Sequence, residues 1–443
     1  MRVLVIGSGG REHALVWGLS RSAGITRLYC APGNPGIAHH AELVPIASTD
    51  RQALLDFARR ERIDLTVVGP EQPLADGVVD LFLDHGLTVF GPTRRAAELE
   101  WSKAFAKDFM SRHHIPTASS RTFARGQEAE ARDYVQEVAL PIVLKADGLA
   151  AGKGVLICRD REEATGEVLG MLGGGSFGRA GARVVVEEFL RGEEASVFAI
   201  TDSREYVILA PAQDHKRALD NDEGKNTGGM GAYAPAPIID VALLRQVEEE
   251  IVRPTIAGMA AEGRPYSGCL YVGLMITPAG PKVIEYNSRF GDPETQVVLP
   301  LFPGDLAQLL LAAARGEIGA YRGLSWVPQQ QGTAVCVVLA SGGYPDAYAE
   351  GRVITGLERI EKQQGIVAFH AGTRLEGTQL VSSGGRVLGI TAVRSSGTIA
   401  ETIRDAYAAV AQVRFEGMHY RRDIGHRALI YAIGSYIEGT ATR

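Results

Sequence analysis

The sequence predicts a multidomain protein of the α/β and α+β classes, with an N-terminal parallel α/β domain and a small C-terminal antiparallel α+β domain. Its 443 residues exceed what one hydrophobic core usually supports, so we expect about two to four domains. Strand-like and helix-like segments alternate through roughly the first hundred residues. After a polar stretch at 325–332, strand-like segments precede one long amphipathic helix-like segment, which indicates a separate smaller domain.

The N-terminal region has a βαβ pattern. The apolar runs VLVIG, RLYCAPG, DLTVVGPE and LTVFGPT read as strands, and REHALVWGLSRS and RQALLDFARRER read as helices between them. This alternation predicts a parallel sheet with helices on both faces. The first turn, GSGGREH, departs from a dinucleotide fingerprint because Glu12 stands where the third glycine is needed. Backbone N–H groups at Gly9 and Gly10 favour an anion such as phosphate, and the alternative is a tight structural turn.

A glycine-rich stretch, VLKADGLAAGKGV at 143–155, has the composition of a phosphate-binding loop. It is not a Walker loop, because three residues separate Gly148 from Gly152 where four are needed, and Gly154 replaces the metal-binding hydroxyl residue. The following VLICRD reads as a strand, so the loop is predicted to be the tip of a β-hairpin. Such a tip can close over a triphosphate, with glycine N–H donors and Lys153 as a point charge.

Two further stretches combine apolar strands with charge. Residues 184–200 read as strand, acidic hinge and strand, so the acids either lie at a surface turn or hold something polar. Residues 270–296 read as a hairpin, on whose second strand Glu285 and Asn287 point to one face. This pair suits a magnesium ion that keeps water and phosphate oxygens as its other ligands, with Arg289 near the phosphoryl oxygens. The alternative is a solvated strand end.

The polar, glycine-rich stretch 213–237 is predicted to be a long loop, ordered by its apolar YAPAP end and functional. The net charge of −6 and a pI near 6.0 argue against a nucleic-acid partner. No apolar run approaches the roughly 20 residues of a membrane span, and the N-terminus begins directly with a strand, so we expect a cytoplasmic protein with no membrane partner. The four cysteines are single, which favours buried thiols over a metal site or disulfides.

The motifs KADGLAAGKGV, EEFLRGEEAS, DHKR, NTGGMGAY and EYNSRFGDPETQ, in this order, resemble the ATP-grasp superfamily and specifically the phosphoribosylamine–glycine ligase family. The match continues through VIGSGGREHAL, HAGT and RRDIGHRA, so it covers nearly the whole chain. The resemblance implies a Rossmann-like domain at 1–102, an ATP-grasp domain at 103–325 with a lid at about 119–190, a C-terminal domain at 326–428, and a tail at 429–443.

The resemblance also implies roles for individual residues. For ATP, these are the phosphate ligands Lys103 and Lys145, the lid loop with Gly148, Gly152, Lys153 and Gly154, the adenine contacts Glu187, Phe189 and Leu190, and Glu194 at the ribose. Glu285 and Asn287 would hold Mg²⁺ or Mn²⁺, and Arg289 would stabilise phosphoryl transfer together with Lys145. The implied substrate residues are Gly9, Gly10, Glu12 and Glu71 for phosphoribosylamine, with Asp214, Lys216, Gly291, Asp292 and Glu294 completing the amine and glycine sites.

The implied reaction is ligation of glycine to 5-phosphoribosylamine through glycyl phosphate, the second step of de novo purine biosynthesis, by a monomer or weak homo-oligomer. The rivals are an ATP-grasp relative that carboxylates or formylates a nucleotide or ligates another amino acid, an ATP sensor without turnover, and a redox enzyme. Ser8 and Ser288 stand where relatives often carry Asn and Cys, and Lys225 replaces a usual proline. These departures put affinity in doubt, and leave the reaction type unchanged.

Overall fold

The N-terminal region forms a five-stranded parallel sheet with strand order β3-β2-β1-β4-β5. The computed structural model describes residues 1–148, 154–174, 183–327 and 332–431. Strands β1 to β5 are Arg2–Gly7, Arg27–Pro32, Glu42–Leu43, Leu65–Val68 and Val89–Phe90, and helices α1 to α5 are Gly10–Ser20, Arg51–Glu61, Glu71–Ala75, Val78–Asp84 and Glu98–Trp101. Strand β1 is buried over nearly its whole length, as expected when helices cover both faces. The predicted parallel α/β domain is confirmed.

A four-stranded antiparallel sheet follows, with order β6-β9-β7-β8. Strands β6 to β9 are Ser120–Ala124, Ile142–Ala146, Val155–Cys158 and Arg183–Glu188, and helices α6 to α8 are Lys103–Arg112, Glu128–Glu137 and Arg161–Leu172. Lys145 pairs with Val155 across β7 and β8, which confirms the predicted hairpin. Its tip, including Gly152 and Lys153, lies outside the described residues.

A second antiparallel sheet has the order β11-β10-β16-β17. Its strands are β10 (Glu193–Asp202), β11 (Tyr206–Ile208), β16 (Ser267–Thr277) and β17 (Gly280–Asn287), and its neighbouring helices are α9 (Val241–Val247), α10 (Arg253–Ala261), α11 (Thr295–Val298) and α12 (Leu306–Arg315). Strands β16 and β17 form the predicted hairpin, with a register shift after Gly273. One apolar cluster extends from β1 through these strands to α12, so the first and central regions share a core.

The C-terminal sheet is antiparallel, with order β12-β15-β18-β22-β19, and it takes two strands from the middle of the chain. The strands are β12 (Gln213–Asp214), β15 (Gly231–Ala234), β18 (Thr333–Ala340), β19 (Ile366–His370) and β22 (Arg386–Arg394). Helices α13 (Leu357–Ile360) and α14 (Ile399–Val410) and the hairpin β20 (Thr373–Glu376) and β21 (Gln379–Ser382) complete this region. The predicted antiparallel α+β domain is confirmed.

The prediction that 213–237 is a loop was wrong. Besides β12 and β15, the stretch contains a hairpin of β13 (Arg217–Leu219) and β14 (Glu223–Asn226). Strand β14 is exposed along its length and so lacks the alternation of apolar residues by which a strand is recognised. Its backbone pairing, and the contacts of the stretch with residues 419–427, order the stretch in place of an apolar face.

No single helix in the described parts of the chain is long and apolar enough to cross a membrane, although the bent pair Thr295–Leu301 and Leu306–Arg315 passes that test of length and composition when taken together. Most of the predicted tail, from residue 432 onward, lies outside the described residues. Within the described part, the Tyr431 hydroxyl donates a hydrogen bond to Glu193 at 3.0 Å.

A buried ion-pair group connects the two central sheets. The Glu187 carboxylate on β9 lies 3.0 Å from the Lys145 ammonium and 3.2 Å from the Lys107 ammonium of α6. All three side chains are at most 6% exposed. Lys145 also donates to the carbonyl oxygen of Ile284 on β17 at 2.9 Å. Burial, only partly offset by Glu187, lowers the pKa of Lys107 to about 8. One carboxylate therefore compensates two buried ammonium groups.

We expect Glu187→Gln to lower the free energy of unfolding by about 3–5 kcal/mol, because it leaves buried cations without their anion. Urea titration followed by circular dichroism measures this loss. The matched control is Glu188→Gln, the next residue, whose pair with Lys282 is 43% exposed on the carboxylate side. That change should cost no more than about 1 kcal/mol. Equal losses in the two variants would contradict the assignment of this energy to buried charge.

Candidate active site

Strand β17 places Glu285 and Asn287 on one face, where they pair in register with Gly273 and Tyr271 of β16. Burial opposes ionisation of Glu285, but Lys216, Lys145 and further cations hold its pKa below the usual value. The carboxylate is therefore ionised. No group of three His, Cys, Asp or Glu side chains suited to a metal occurs within the described ranges. An acid and an amide oxygen alone fit a divalent cation that draws its other ligands from phosphate and water.

Lysines from three segments surround this carboxylate. The Lys103 ammonium, at the start of α6, donates to the carbonyl oxygen of Gly148 at 3.0 Å. Burial lowers the pKa of Lys103, and Glu285 opposes that shift. The Lys216 ammonium lies 3.8 Å from Glu285 and 2.7 Å from Glu194. Together with Lys145, these groups form a cationic cleft between the two central sheets, suited to a polyphosphate.

The acidic hinge between β9 and β10 realises both predicted alternatives. Glu188 lies at the surface and pairs with Lys282, whereas Glu187 is buried and Glu194 reaches Lys216. The second carboxylate oxygen of Glu187, Oε1, is buried and accepts no hydrogen bond from the residues that the structure describes. Phe189 lines an open cavity of about 310 Å³ with Leu140, Pro141, Arg159 and Arg191. Leu190 follows it, half-buried.

Arg289 lies two residues beyond β17 and pairs with acids from the N-terminal region. Its Nη2 is 3.0 Å from Glu100, and its Nε is 3.3 Å from Glu71. Burial works against ionisation of Glu71, but Arg289 and Arg11 lower its pKa to about 2. Burial raises the pKa of Glu100 despite Arg289. The Arg289 side chain is 17% exposed, and these two acids hold it at the junction of the first and central regions.

Asp214 and Glu294 form an acidic pair beside Lys216. Burial raises the pKa of Asp214 to about 8, with Lys216 opposing and Glu294 adding to the shift. Burial also raises the pKa of Glu294, whose Oε1 accepts a 2.9 Å hydrogen bond from Tyr271. Gly291 packs against Glu294 and the Tyr271 ring, because a Cβ there would lie 2.9 Å from the ring and closer still to the Glu294 carboxylate. A second cation entering here would favour ionisation of both carboxyls.

The N-terminal turn is closed by its own glutamate. The Gly9 N–H donates to Glu12 Oε2 at 2.6 Å, and Arg11 Nε lies 2.7 Å from Glu12 Oε1. This carboxylate already occupies the start of α1, where an anion was expected, so the structural-turn alternative has direct support. A Cβ on Gly10 would lie 2.6 Å from Gln296 Nε2, so a side chain there would have to displace the Gln296 amide. Substrate contacts by these residues stay a prediction.

A cavity of about 370 Å³ lies between this turn and the C-terminal region. Its polar lining includes Asp292 and Arg386, whose carboxylate and guanidinium are 3.4 Å apart. The other lining residues are Ser8, Gly9, Gly33, Asn34, Tyr344, Ala371, Gly372, Thr373 and Ser383. Sequence reasoning missed Arg386, Lys107 and Glu100. Arg386 lies in the glycine-containing stretch GGRVLGITA, whereas Lys107 and Glu100 carry no signal beyond a charge in a helix.

Three family models match consecutive parts of the chain: the phosphoribosylglycinamide synthetase N domain at 1–100, its ATP-grasp (A) domain at 101–295 and its C domain at 334–427. The predicted fold class, with a central ATP-grasp domain, is thereby confirmed. A phosphoribosylamine–glycine ligase of Chlorobaculum tepidum is 50% identical over 435 residues, covering 97% of this chain and 100% of the relative. One from Ralstonia nicotianae is 51% identical over 430 residues, with the same coverage.

Solved structures agree with this. The phosphoribosylamine–glycine ligase of Thermotoga maritima has a TM-score of 0.81 and 34% identity, covering 96% of this chain and 100% of that one. The biotin carboxylase domain of Hydrogenobacter thermophilus 2-oxoglutarate carboxylase, a complex with MgADP, ADP and bicarbonate, has a TM-score of 0.70 and 17% identity, covering 95% and 91%. The second likeness shows the fold alone. By its matched models and full-length relatives, this chain belongs to the phosphoribosylglycinamide synthetase family.

Proposed function

We propose that this chain joins glycine to 5-phosphoribosylamine at the expense of ATP, giving glycinamide ribonucleotide, ADP and phosphate in the second step of de novo purine biosynthesis. Family membership and the names of its relatives support the reaction. The observation that carries the residue roles is the convergence of three lysines and Arg289 on Glu285, beside the acidic pair of Asp214 and Glu294. A cytoplasmic location and a monomeric or weakly homo-oligomeric state remain predictions.

ATP occupies the cationic cleft in this proposal, with Lys103 and Lys145 on its phosphates. The orphaned Oε1 of Glu187 accepts the exocyclic amine of adenine, which satisfies a buried acceptor. Phe189 and Leu190 border the base, and Glu194 exchanges Lys216 for the ribose hydroxyls. Gly148 and Gly154, at the two ends of the predicted lid loop, border the phosphates, and the residues between them lie outside the described ranges.

Glu285 and Asn287 hold Mg²⁺ or Mn²⁺, which when bound neutralises phosphate charge. The lysines and Arg289 act on the same developing charge. Glycine's carboxylate attacks the γ-phosphorus and displaces ADP, giving glycyl phosphate; the amine of phosphoribosylamine then attacks the carbonyl carbon, expels phosphate and loses a proton. Arg289 and Lys145 stabilise the phosphoryl oxygens through both steps. No side-chain nucleophile is needed.

The acidic pair supports a site for the glycine ammonium. Asp214 and Glu294 are buried and repel each other when both are ionised. An ammonium group between them relieves that repulsion, and Lys216 on the adjoining side attracts the glycine carboxylate. Gly291 lies directly beside Glu294, where a side chain would collide with its carboxylate. This arrangement presents the carboxylate to the cleft that holds the phosphates.

Phosphoribosylamine occupies the cavity between the N-terminal turn and the C-terminal region. The lining of this cavity offers hydroxyl, amide and guanidinium groups from Ser8, Thr373, Asn34 and Arg386. Such groups suit a phosphorylated sugar. Asp292 in the same cavity accepts sugar hydroxyls. Gly9, Gly10, Glu12 and Glu71 border this substrate from the N-terminal side.

The first test is phosphate release from ATP and Mg²⁺ with glycine and freshly made phosphoribosylamine, omitting each substrate in turn. We expect sustained release only with all of them present, and glycinamide ribonucleotide in the product by mass. Release that does not depend on glycine, or that bicarbonate or another amino acid supports better, would overturn the substrate assignment while leaving the family unchanged.

A second test uses the raised pKa of Asp214. A neutral carboxylic acid holds an ammonium poorly, so kcat/KM for glycine should rise with pH up to about 8. In Asp214→Asn this rise should disappear, and kcat/KM at pH 8 should fall by about tenfold to a hundredfold. The control Asp240→Asn keeps the N-cap of α9 and should retain the wild-type profile. An unchanged profile in Asp214→Asn would remove Asp214 from the glycine site.

A further inference from the structure

The position of the Lys216 ammonium depends on how its backbone is held. Lysine has a flexible four-carbon side chain, so a firm location requires a fixed main chain. Lys216 lies between β12 and β13, and its carbonyl oxygen accepts the N–H of Thr227 at 2.7 Å. From there the ammonium reaches Glu194 and Glu285, both on the neighbouring sheet β11-β10-β16-β17. A segment near the C-terminus also contacts the residues around Lys216.

Residues 419–427, here called the C-terminal clamp, bond to the residues on both sides of Lys216. The N–H of Gly425 points to Nε2 of His215 at 3.4 Å, and Arg421 Nη1 donates to the carbonyl oxygen of Arg217 at 3.3 Å. The His419 ring lies 2.8 Å from the carbonyl oxygen of Ala218 through Nε2. The clamp comes from more than 200 positions further along the chain. It contacts the His215 ring before the lysine and holds the backbone of residues 217 and 218 after it.

Arg421 is the centre of the clamp. Its side chain is 0% exposed and meets Asp222 at 2.8 Å and Asp423 at 2.7 Å, using two nitrogens on the latter. Arg427 pairs with the other oxygen of Asp222 at 2.6 Å. Burial opposes ionisation, but the guanidinium of Arg421 holds the pKa of both Asp222 and Asp423 below their usual values. Both carboxyl groups are therefore ionised, and each is paired with an arginine.

A buried arginine network of this kind contributes little net stability, because desolvation of the charges offsets most of their attraction. Its geometry, however, is restrictive, since a planar guanidinium donates hydrogen bonds to carboxylates only in a few directions. The network thus fixes where Asp222, and with it the segment 215–222, can lie. The N–H of Asn221 donates to Asp423 Oδ2 at 2.9 Å and the N–H of Arg422 donates to Asp220 Oδ1 at 2.7 Å, and both bonds add to this fixation.

We propose that Arg421 is a positioning residue for Lys216: by clamping segment 215–222 from the C-terminal region, it places the ammonium between Glu194 and Glu285. The inference itself needs only the geometry of the clamp, and its kinetic readout rests on the proposed function, in which Lys216 attracts the glycine carboxylate. Arg421 touches no substrate in this proposal.

The test compares Arg421→Lys with Arg394→Lys in the full-length protein. Lysine keeps the charge but loses the forked geometry. We expect Arg421→Lys to speed amide hydrogen exchange in 215–222 and to raise the KM for glycine by about tenfold or more, with the KM for ATP changed by less than about twofold. Arg394 also pairs with a carboxylate of the C-terminal region, Asp405 at 2.6 Å, so its lysine variant is a matched control that should change neither quantity.

The outcomes separate the two proposals. If Arg421→Lys lowers only the melting temperature, with exchange in 215–222 and the KM for glycine as in the wild type, the positioning role is overturned. If exchange accelerates but the KM for another substrate rises instead, the positioning role stands and the assignment of Lys216 to glycine fails. Should Arg421→Lys not fold, Asp222→Asn breaks the same network from its half-exposed partner and should give the same pattern.

Discussion

Charge compensation is the constraint on which the rest of this structure depends. The candidate site buries lysines, arginines and carboxylates together, and each buried charge is tolerable only beside an opposite one. The partners come from distant segments: Glu187 meets Lys107 and Lys145, and Arg289 meets Glu71 and Glu100. Because no single segment carries both signs in the needed place, the regions must assemble before the charges are satisfied. The site is therefore a property of the assembled chain.

Some buried polar groups lack a full set of partners, and we expect substrates to bind at these places. Asp214 and Glu294 are two buried acids beside Lys216, and one oxygen of Glu187 accepts no hydrogen bond within the described part of the chain. Phosphates, an ammonium and an adenine amine complete these groups in the proposed reaction. Other groups are fully matched without substrate, as in the network around Arg421, and such groups act by holding the backbone in place.

Periodicity and turn residues predicted many of the elements. The alternation of β1, β2, β4 and β5 with α1 and α2, the hairpins β7-β8 and β16-β17 and the amphipathic α14 follow from local patterns, and the structure confirms them. In two places the structure differs from what the local sequence suggests. Strand β14 is exposed along its length and has no apolar face, so its sequence predicts a loop. The N–H of Gly9 was expected to bind an anion, but the carboxylate of Glu12 already accepts its hydrogen bond.

By itself the sequence determined the order of elements, the family resemblance and the residue types that meet phosphate and metal, since these depend on neighbours within a few positions. Only the tertiary structure decided which charged side chains pair with one another. Lys107 and Glu100 have no distinguishing local signal, and Arg421, although it lies in the motif RRDIGHRA, has nothing nearby that points to Asp222. The partners Glu187, Arg289 and Asp222 lie between 80 and 199 positions away along the chain. Burial and pairing are properties of the space between segments, so electrostatics at this site emerges only once the sheets and the C-terminal clamp come together.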